Sequence, residues 1–296
     1  MAEDIKKRSL WDRIQFCDPR ILYALFAVVV IGFEMIQIKM PVPNPVWVGK
    51  LYERIENLPP DKAVLIDCDY GAGNRGECEG QFKAVIQHLF ARNIKFMVVT
   101  WTTNVEGQKL GRQVLDEVAK KMGKVDGEDY VMFQAIVNAG GVTLQSLAKD
   151  IHGFVVKDIN GRDLGDIPMM KNFRTIADVS LIYRVAYSWG GVPWIGFVQS
   201  VYGTPLAAGS AGIESSTAYP YLDSGQLCGL LAGAAGAAGA AAYEKRVMEA
   251  GITPETGIGT KTVSVQSFAT LFVVISIIIS NFAMFMSKWR GKRAGA

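Results

Sequence analysis

Residues 62–90, KAVLIDCDYGAGNRGECEGQFKAVIQHLF, join a strand, a glycine-rich turn and a helix without interruption, and this unit constrains the fold more than any other stretch. The apolar run Ala63 to Ile66 suits a strand buried on both faces. Phe82, Val85, Ile86, Leu89 and Phe90 then recur at i, i+3, i+4, i+7 and i+8, the stripe of an amphipathic helix. Gly71, Gly73 and Gly76 form a G-x-G-x-x-G between them. Glycines at such a turn permit positive φ and let backbone N–H groups approach a ligand at the helix N-terminus.

The neighbours of that turn oppose a dinucleotide site. Asp67 and Asp69 stand where the strand ends, so a pyrophosphate would meet two carboxylates offset only by Arg75 or a bound cation. The second strand, 94–101, ends in Thr100, Trp101, Thr102 and Thr103 without the ribose-binding acid that such sites carry, and Glu106 comes late. The preferred reading is a tight turn in which Asp67 and Asp69 cap the following helix and pair with Arg75. The alternative is a ligand site built from Asp67, Asp69, Gly71, Gly73, Asn74, Arg75 and Gly76, or a cation site using Asp67, Asp69 and Glu77, because hard cations want several oxygens. No cofactor is specified by these residues.

Beyond this unit, a helix over 107–122 follows the second strand, with Leu110, Val114, Val118 and Met122 on one stripe. A third strand is expected at 129–137, a short helix at 143–149 and a fourth strand at 179–187. Asn160-Gly161 inside FVVKDINGRDLGD (154–166) signals a hairpin that projects from the sheet as a flap or a contact ribbon. Residues 194–201 and 205–211 read as further strands. Together these predict an α/β fold with a doubly wound, mostly parallel, Rossmann-like sheet.

Apolar segments flank that domain. Residues 21–38 and 268–286 are each about the length of a helical membrane crossing. Lys6, Lys7, Arg8, Arg13 and Arg20 precede the first; Lys288, Arg290, Lys292 and Arg293 follow the second. The excess of basic residues on the outer flanks predicts a two-pass protein of the cell membrane with both termini cytoplasmic and the centre extracytoplasmic. The first segment reads as an uncleaved anchor, since MPVPNPVW after it lacks a small-residue cleavage site. The expected division is an N-terminal segment at 1–20 lying at the interface, a span at 21–38, a linker at 39–60 containing a short helix, an α/β domain at 61–250, a linker at 251–266, a span at 267–286 and a basic tail at 287–296. Glu34 falls inside the first span, about 20 Å from Arg20 along a helix, and Ser276 in the second span is its expected partner in depth.

Residues 223–248 read as one buried helix, with a third membrane span at 224–243 as the alternative, and Gly225, Gly229, Gly233 and Gly236 provide a close-packing face toward the protein's own sheet or toward another subunit. Cys17, Cys68, Cys78 and Cys228 show no metal-like spacing, and Cys68 and Cys78 read as buried thiols rather than a disulfide. Ala208-Gly209-Ser210-Ala211-Gly212 resembles a nucleophile elbow only loosely, because His88 and His152 both precede Ser210. The net charge of +3 with basic residues gathered at the ends argues against nucleic acid as a partner. The expected partners are membrane lipid and further copies or other membrane subunits. The functional expectation is a structural or scaffolding subunit of a membrane assembly, with a ligand-binding or catalytic domain using residues 67–77 as the alternative.

Overall fold

The computed structural model describes residues 10–36, 41–42, 44–137, 140–188, 190–232, 237–253 and 257–294. The chain divides into two compact units, Met1–Met40 with Ser264–Ala296, and Pro41–Val263.

In the first unit α1 (Leu10–Gln15) and α2 (Pro19–Ile36) pack with the apolar part of the last helix, introduced below as α9. Phe33 stacks on Phe268 with ring centroids 3.6 Å apart, Phe26 meets Phe272 at 5.7 Å, and Trp11 stands edge-on to Phe282 at 5.4 Å. Rising numbers on one side match falling numbers on the other, so the two long helices run antiparallel. Both are long and apolar enough to cross a membrane. The expected pairing of Glu34 with Ser276 does not form: Ser276 Oγ donates to the Phe272 carbonyl of its own helix at 2.8 Å, and Glu34 is exposed. A serine inside a helix can satisfy itself on the preceding turn, which removes the need for a partner across the pair.

The second unit is built on α3 (Val46–Glu56), β1 (Ala63–Asp69), α4 (Arg75–Ala91), β2 (Phe96–Val99), α5 (Val105–Met122), β3 (Tyr130–Met132), α6 (Gly141–Lys149), β4 (Val179–Ala186), β5 (Leu206–Ser210), α7 (Ser215–Asp223), β6 (Leu227–Leu231), α8 (Ala238–Glu249) and the first turns of α9 (Ile258–Ala294). Its six strands form one parallel sheet in the order β3-β2-β1-β4-β5-β6. Val64, Ile66, Leu181, Tyr183 and Val185 point to one face, covered by α3, α4, α5 and α8. Leu65, Met97, Val131, Ile182 and Leu206 point to the other, covered by α6, residues 192–202 and α7. Strand period and helix stripe therefore meet as expected for β1 and α4, and all five stripe residues of α4 are buried.

Several expectations are corrected. Residues 192–202 are helical, as Val192–Trp194, Ile195–Gln199 and Ser200–Tyr202, not a strand. Trp194, Ile195 and Val198 are its buried residues, a spacing of helix and not of pleat. The third strand is only three residues long, and the second four. Residues 154–166 form the expected hairpin on a small scale, with Lys157 and Asp163 bridged antiparallel, and it pairs beside β3 through Asp158 and Phe133 instead of projecting. Asp158 is buried and its carboxylate accepts from the Asn160 and Arg162 amides at 3.0 and 2.7 Å and from Arg162 Nε, so the Asn160-Gly161 turn between the paired segments closes around a side chain. The linker 251–266 gives way to α9, whose N-terminus is satisfied by Glu244. That buried carboxylate accepts from Gly259 N at 2.9 Å and from Thr260 N and Oγ1 at 2.8 Å each.

The single helix expected at 223–248 is instead a turn, a strand and a helix. Gly225 has φ +77°, Gly229 lies in β6, and Gly233 and Gly236 fall outside the described residues, so no shared helix face joins Gly225 and Gly229. Leu227, Leu230 and Leu231 supply a short apolar run bounded by a turn, which is enough for a buried strand at the end of the sheet. Close packing survives in a different form. A Cβ on Gly229 would lie 2.6 Å from Leu51 Cβ and 3.0 Å from its Cα, so glycine lets α3 lie directly on β6. Gly229→Ala should therefore cost about 1–3 kcal/mol through overpacking. Thermal unfolding of the full-length protein should show a lowered midpoint for this variant but not for Gly73→Ala, where a Cβ meets open space; equal midpoints would contradict the packing.

Candidate functional site

The order of the strands reverses between β1 and β4, and the carboxyl ends of these two strands flank the crevice in which parallel α/β sheets take ligands. Asp67 and Asp69 end β1 on one face of the sheet, while Cys68 between them points into the opposite core. Arg184 of β4 is paired in register with Asp67. An arginine inside the strand VSLIYRVA cannot remain buried alone, and its guanidinium joins the two carboxylates. Nη1 donates to Asp67 Oδ2, and Nη2 donates to Asp69 Oδ2 at 3.2 Å.

Two tryptophans complete the shell of Asp67. Trp101, just past β2, donates through Nε1 to Oδ1 at 2.7 Å. Trp194, from the helical run 192–202, donates to Oδ2 at 2.7 Å. Asp67 is fully buried, and Arg184 is 7% exposed. Asn104 donates to Asp69 at 3.0 Å and accepts from the Gly107 amide at 2.9 Å, so it ties the pair to the start of α5. Burial, reinforced by the charge of Asp67, holds the Asp69 carboxyl above its ordinary range against the opposing effects of Asn104 and Arg184. Burial also works against the Arg184 charge, but Asp67 and Asp69 outweigh it and keep the guanidinium protonated. A Cβ on Gly190 would fall 2.6 Å from Arg184 Nη2, so the loop after β4 closes over the guanidinium because it has no side chain there.

The glycine-rich turn is occupied from within. Ala72 N donates to Glu106 Oε2 at 3.0 Å, and the same carboxylate oxygen lies 3.0 Å from the position of a Cβ on Gly71. A carboxylate of the chain thus sits where a phosphate would meet the turn. Arg75 pairs with Glu79, not with Asp67 or Asp69, and Asn74 precedes α4 without a side-chain capping bond. The expected capping role of the two aspartates is therefore wrong: their oxygens are consumed by Arg184, Trp101, Trp194 and Asn104. Glu77 turns to the Gly212 amide at 2.7 Å and does not join Asp67 and Asp69. Among the described residues no group of three or more acidic, histidine or cysteine side chains could hold a metal ion. Gly73 faces open space, and Gly76 lies against the Thr262 side chain.

Set beside protein-family models, characterised proteins and solved structures, the chain matches none.

Other candidate groups are also accounted for by packing. The four cysteines are free. Burial, then Glu77, pushes the Cys78 thiol up to about 12, and burial, then Asp67, raises Cys68 well above its ordinary value, so neither is a nucleophile at neutral pH. Ser210 ends β5 in the interior and has no histidine beside it. His88 instead links three helices: Nδ1 lies 2.7 Å from Tyr243 Oη of α8, and Nε2 lies 2.7 Å from Glu56 Oε1 of α3. Of the residues that close the crevice, Arg184, Trp194 and Asn104 were not foreseen. A lone arginine within an apolar strand is itself the signal that two carboxylates on a neighbouring strand must answer.

Burial lowers the His88 pKa, with Glu56 opposing. The unfolded chain, titrating near 6.5, then takes up a proton before the folded one as pH falls. Stability is complete above that value and declines below it, by at most about 1.4 kcal/mol per pH unit for one proton. Chemical denaturation at stepped pH between neutrality and 5 should show this decline, and His88→Gln should flatten it. An unchanged slope in the variant would contradict the assignment.

Proposed function

We propose that the protein is a structural subunit of a membrane assembly, in which two apolar helices hold a Rossmann-like, doubly wound α/β domain at the membrane surface. The observation that carries this reading is the closed crevice at the β1/β4 switch point. The position where a sheet of this order would take a ligand is filled by Arg184, Trp101 and Trp194 around Asp67, and the adjoining turn by Glu106. A domain whose binding crevice is given over to its own side chains is suited to presenting surfaces. Two-pass attachment restricts that domain to the membrane plane, which favours partners in the same membrane over diffusing substrates.

The antiparallel pairing of the two long helices supports an orientation with both ends of the chain on one side. The basic residues that flank them, Arg13 and Arg20 before α2 and Lys288, Arg290, Lys292 and Arg293 at the end of α9, support the cytoplasm as that side.

Native mass measurement on particles extracted from membranes in mild detergent tests the function directly, because it reports subunits and retained small molecules together. The expected particle contains several protein chains. A single chain, with or without a bound small molecule, would contradict the subunit reading, and a single chain retaining a ligand would favour a binding domain instead.

A further inference from the structure

The two edges of the parallel sheet differ in polarity. The loops entering four of the strands are charged: Asp61 and Lys62 precede β1, Lys95 precedes β2, Glu128 and Asp129 precede β3, and Asp178 precedes β4; Gly203-Thr204-Pro205, which enters β5, is not. Loops leaving the strands are not. Residues 131–148, after β3, and 185–213, around the exits of β4 and β5, contain no aspartate, glutamate, lysine or arginine.

On that carboxyl edge large apolar side chains face outward from four different strand exits. Val105 follows β2, Val137 and Val142 follow β3, Tyr187 and Val192 follow β4, and Ile213 follows β5; Val137, Val142 and Ile213 are 69%, 70% and 84% exposed. Of the charges at this edge Glu106 bonds Ala72 N, Glu77 bonds Gly212 N and Arg75 pairs with Glu79, while Glu214 stands beside Ile213. At the opposite edge Val125 stands between Lys124 and Asp126, whereas Val201 and Tyr202, exposed before β5, have no charged neighbours in sequence. An apolar surface spread over several loops and poor in charge is an interaction surface.

The attachment points of the domain lie at the same edge. Val42 and Val263 pack in one cluster with Ala237, Ala238 and Ala241. Gly259 N lies 2.8 Å from the position of a Cβ on Gly80, and Thr262 lies 3.6 Å from that of Gly76, so this segment runs along α4 toward its first turn. That turn follows the carboxyl end of β1. The chain therefore enters and leaves the domain where the uncharged edge begins, and the nearest apolar phase available to that edge is the one its tethers enter.

Resting on the membrane reading above, we infer that the carboxyl edge of the sheet is a lipid-contact surface, with Val137, Val142, Tyr187, Val192 and Ile213 seated at the boundary between headgroups and acyl chains. Apolar side chains of interfacial segments reach roughly 5–10 Å into that boundary, where charges are disfavoured and tyrosine is favoured. The bilayer thereby holds the domain by its ligand-type edge and turns the charged edge toward water.

The test uses the full-length chain in phosphatidylcholine liposomes, with Cys17→Ser and Cys228→Ala leaving the two buried thiols. An environment-sensitive fluorophore is attached through Val142→Cys, Ile213→Cys, Glu128→Cys or Val274→Cys, one at a time, and lipids carrying a nitroxide at a shallow or a deep position act as quenchers. The expected result is blue-shifted emission and about twofold or greater shallow quenching at positions 142 and 213 relative to 128. Deep quenching is expected at position 274. If 274 is quenched while 142 and 213 report water, the lipid-contact surface is overturned and the membrane reading stands. Blue-shifted emission at 142 and 213 without quenching would mean that protein covers the edge and would also overturn it. Absence of quenching at 274 would remove the membrane reading and this inference with it.

Discussion

The Arg184 guanidinium lies between Asp67 and Asp69 in the interior of a parallel sheet, and much of the second unit is arranged to make that burial tolerable. A carboxylate removed from water without partners is prohibitively costly, so each oxygen of Asp67 must be supplied with donors. They come from separate parts of the chain: Arg184 from the adjacent strand, Trp101 from the end of β2, and Trp194 from the connection after β4. Because each donor must reach one point, the ends of β2 and β4 and the helical run 192–202 are located relative to β1. The same convergence fills the crevice that this strand order opens.

Close approach by small residues is the second organising device. Gly229 lets α3 lie on β6, Gly80 and Gly259 bring the start of α9 against α4 and α8, and a Cβ on Gly257 would collide with the Glu244 carboxyl group. Glu244 is placed by that contact to accept the first amides of α9. Burial raises its pKa, opposed by its bonds from Thr260 and Gly259. An anion at a helix N-terminus also complements the helix dipole. The helix that continues into the apolar segment is thus anchored in the α/β unit by hydrogen bonds and by packing at the same place.

How much of this was legible depended on the range of the interaction that decides each element. β1, α4, β4 and β5 follow from local runs and stripes, since KAVLID and VSLIYRVA bury residues on both sides of the chain and Phe82 to Phe90 fall on one helical face. Residues 194–201 misled because an uncharged apolar run without clear alternation fits either a buried strand or a buried helix. Residues 223–248 misled because alanine favours a helix and glycines four apart resemble a helical packing face, whereas Leu227 to Leu231 found an edge position on β5 that only the assembled sheet provides. Asp67 and Asp69 were recognised as unusual, but Trp101 and Trp194, the partners of Asp67, lie 34 and 127 residues away, and Arg75, the cation in the adjoining turn, was taken by Glu79. Glu106 was visible as an acid in the wrong place for a ribose; its role as the internal occupant of the glycine turn required the fold.

The central claim is that Asp67 and Arg184 are a buried, mutually dependent pair that closes the crevice. A double-mutant cycle with Arg184→Met, Asp67→Asn and their combination, read as denaturation of the full-length chain in detergent, tests it most directly. The account predicts that Arg184→Met alone costs about 3–5 kcal/mol by leaving carboxylates buried and unpaired, and that the combination costs clearly less than the sum of the two single changes. An Arg184→Met protein as stable as the parent, or strictly additive costs, would contradict it.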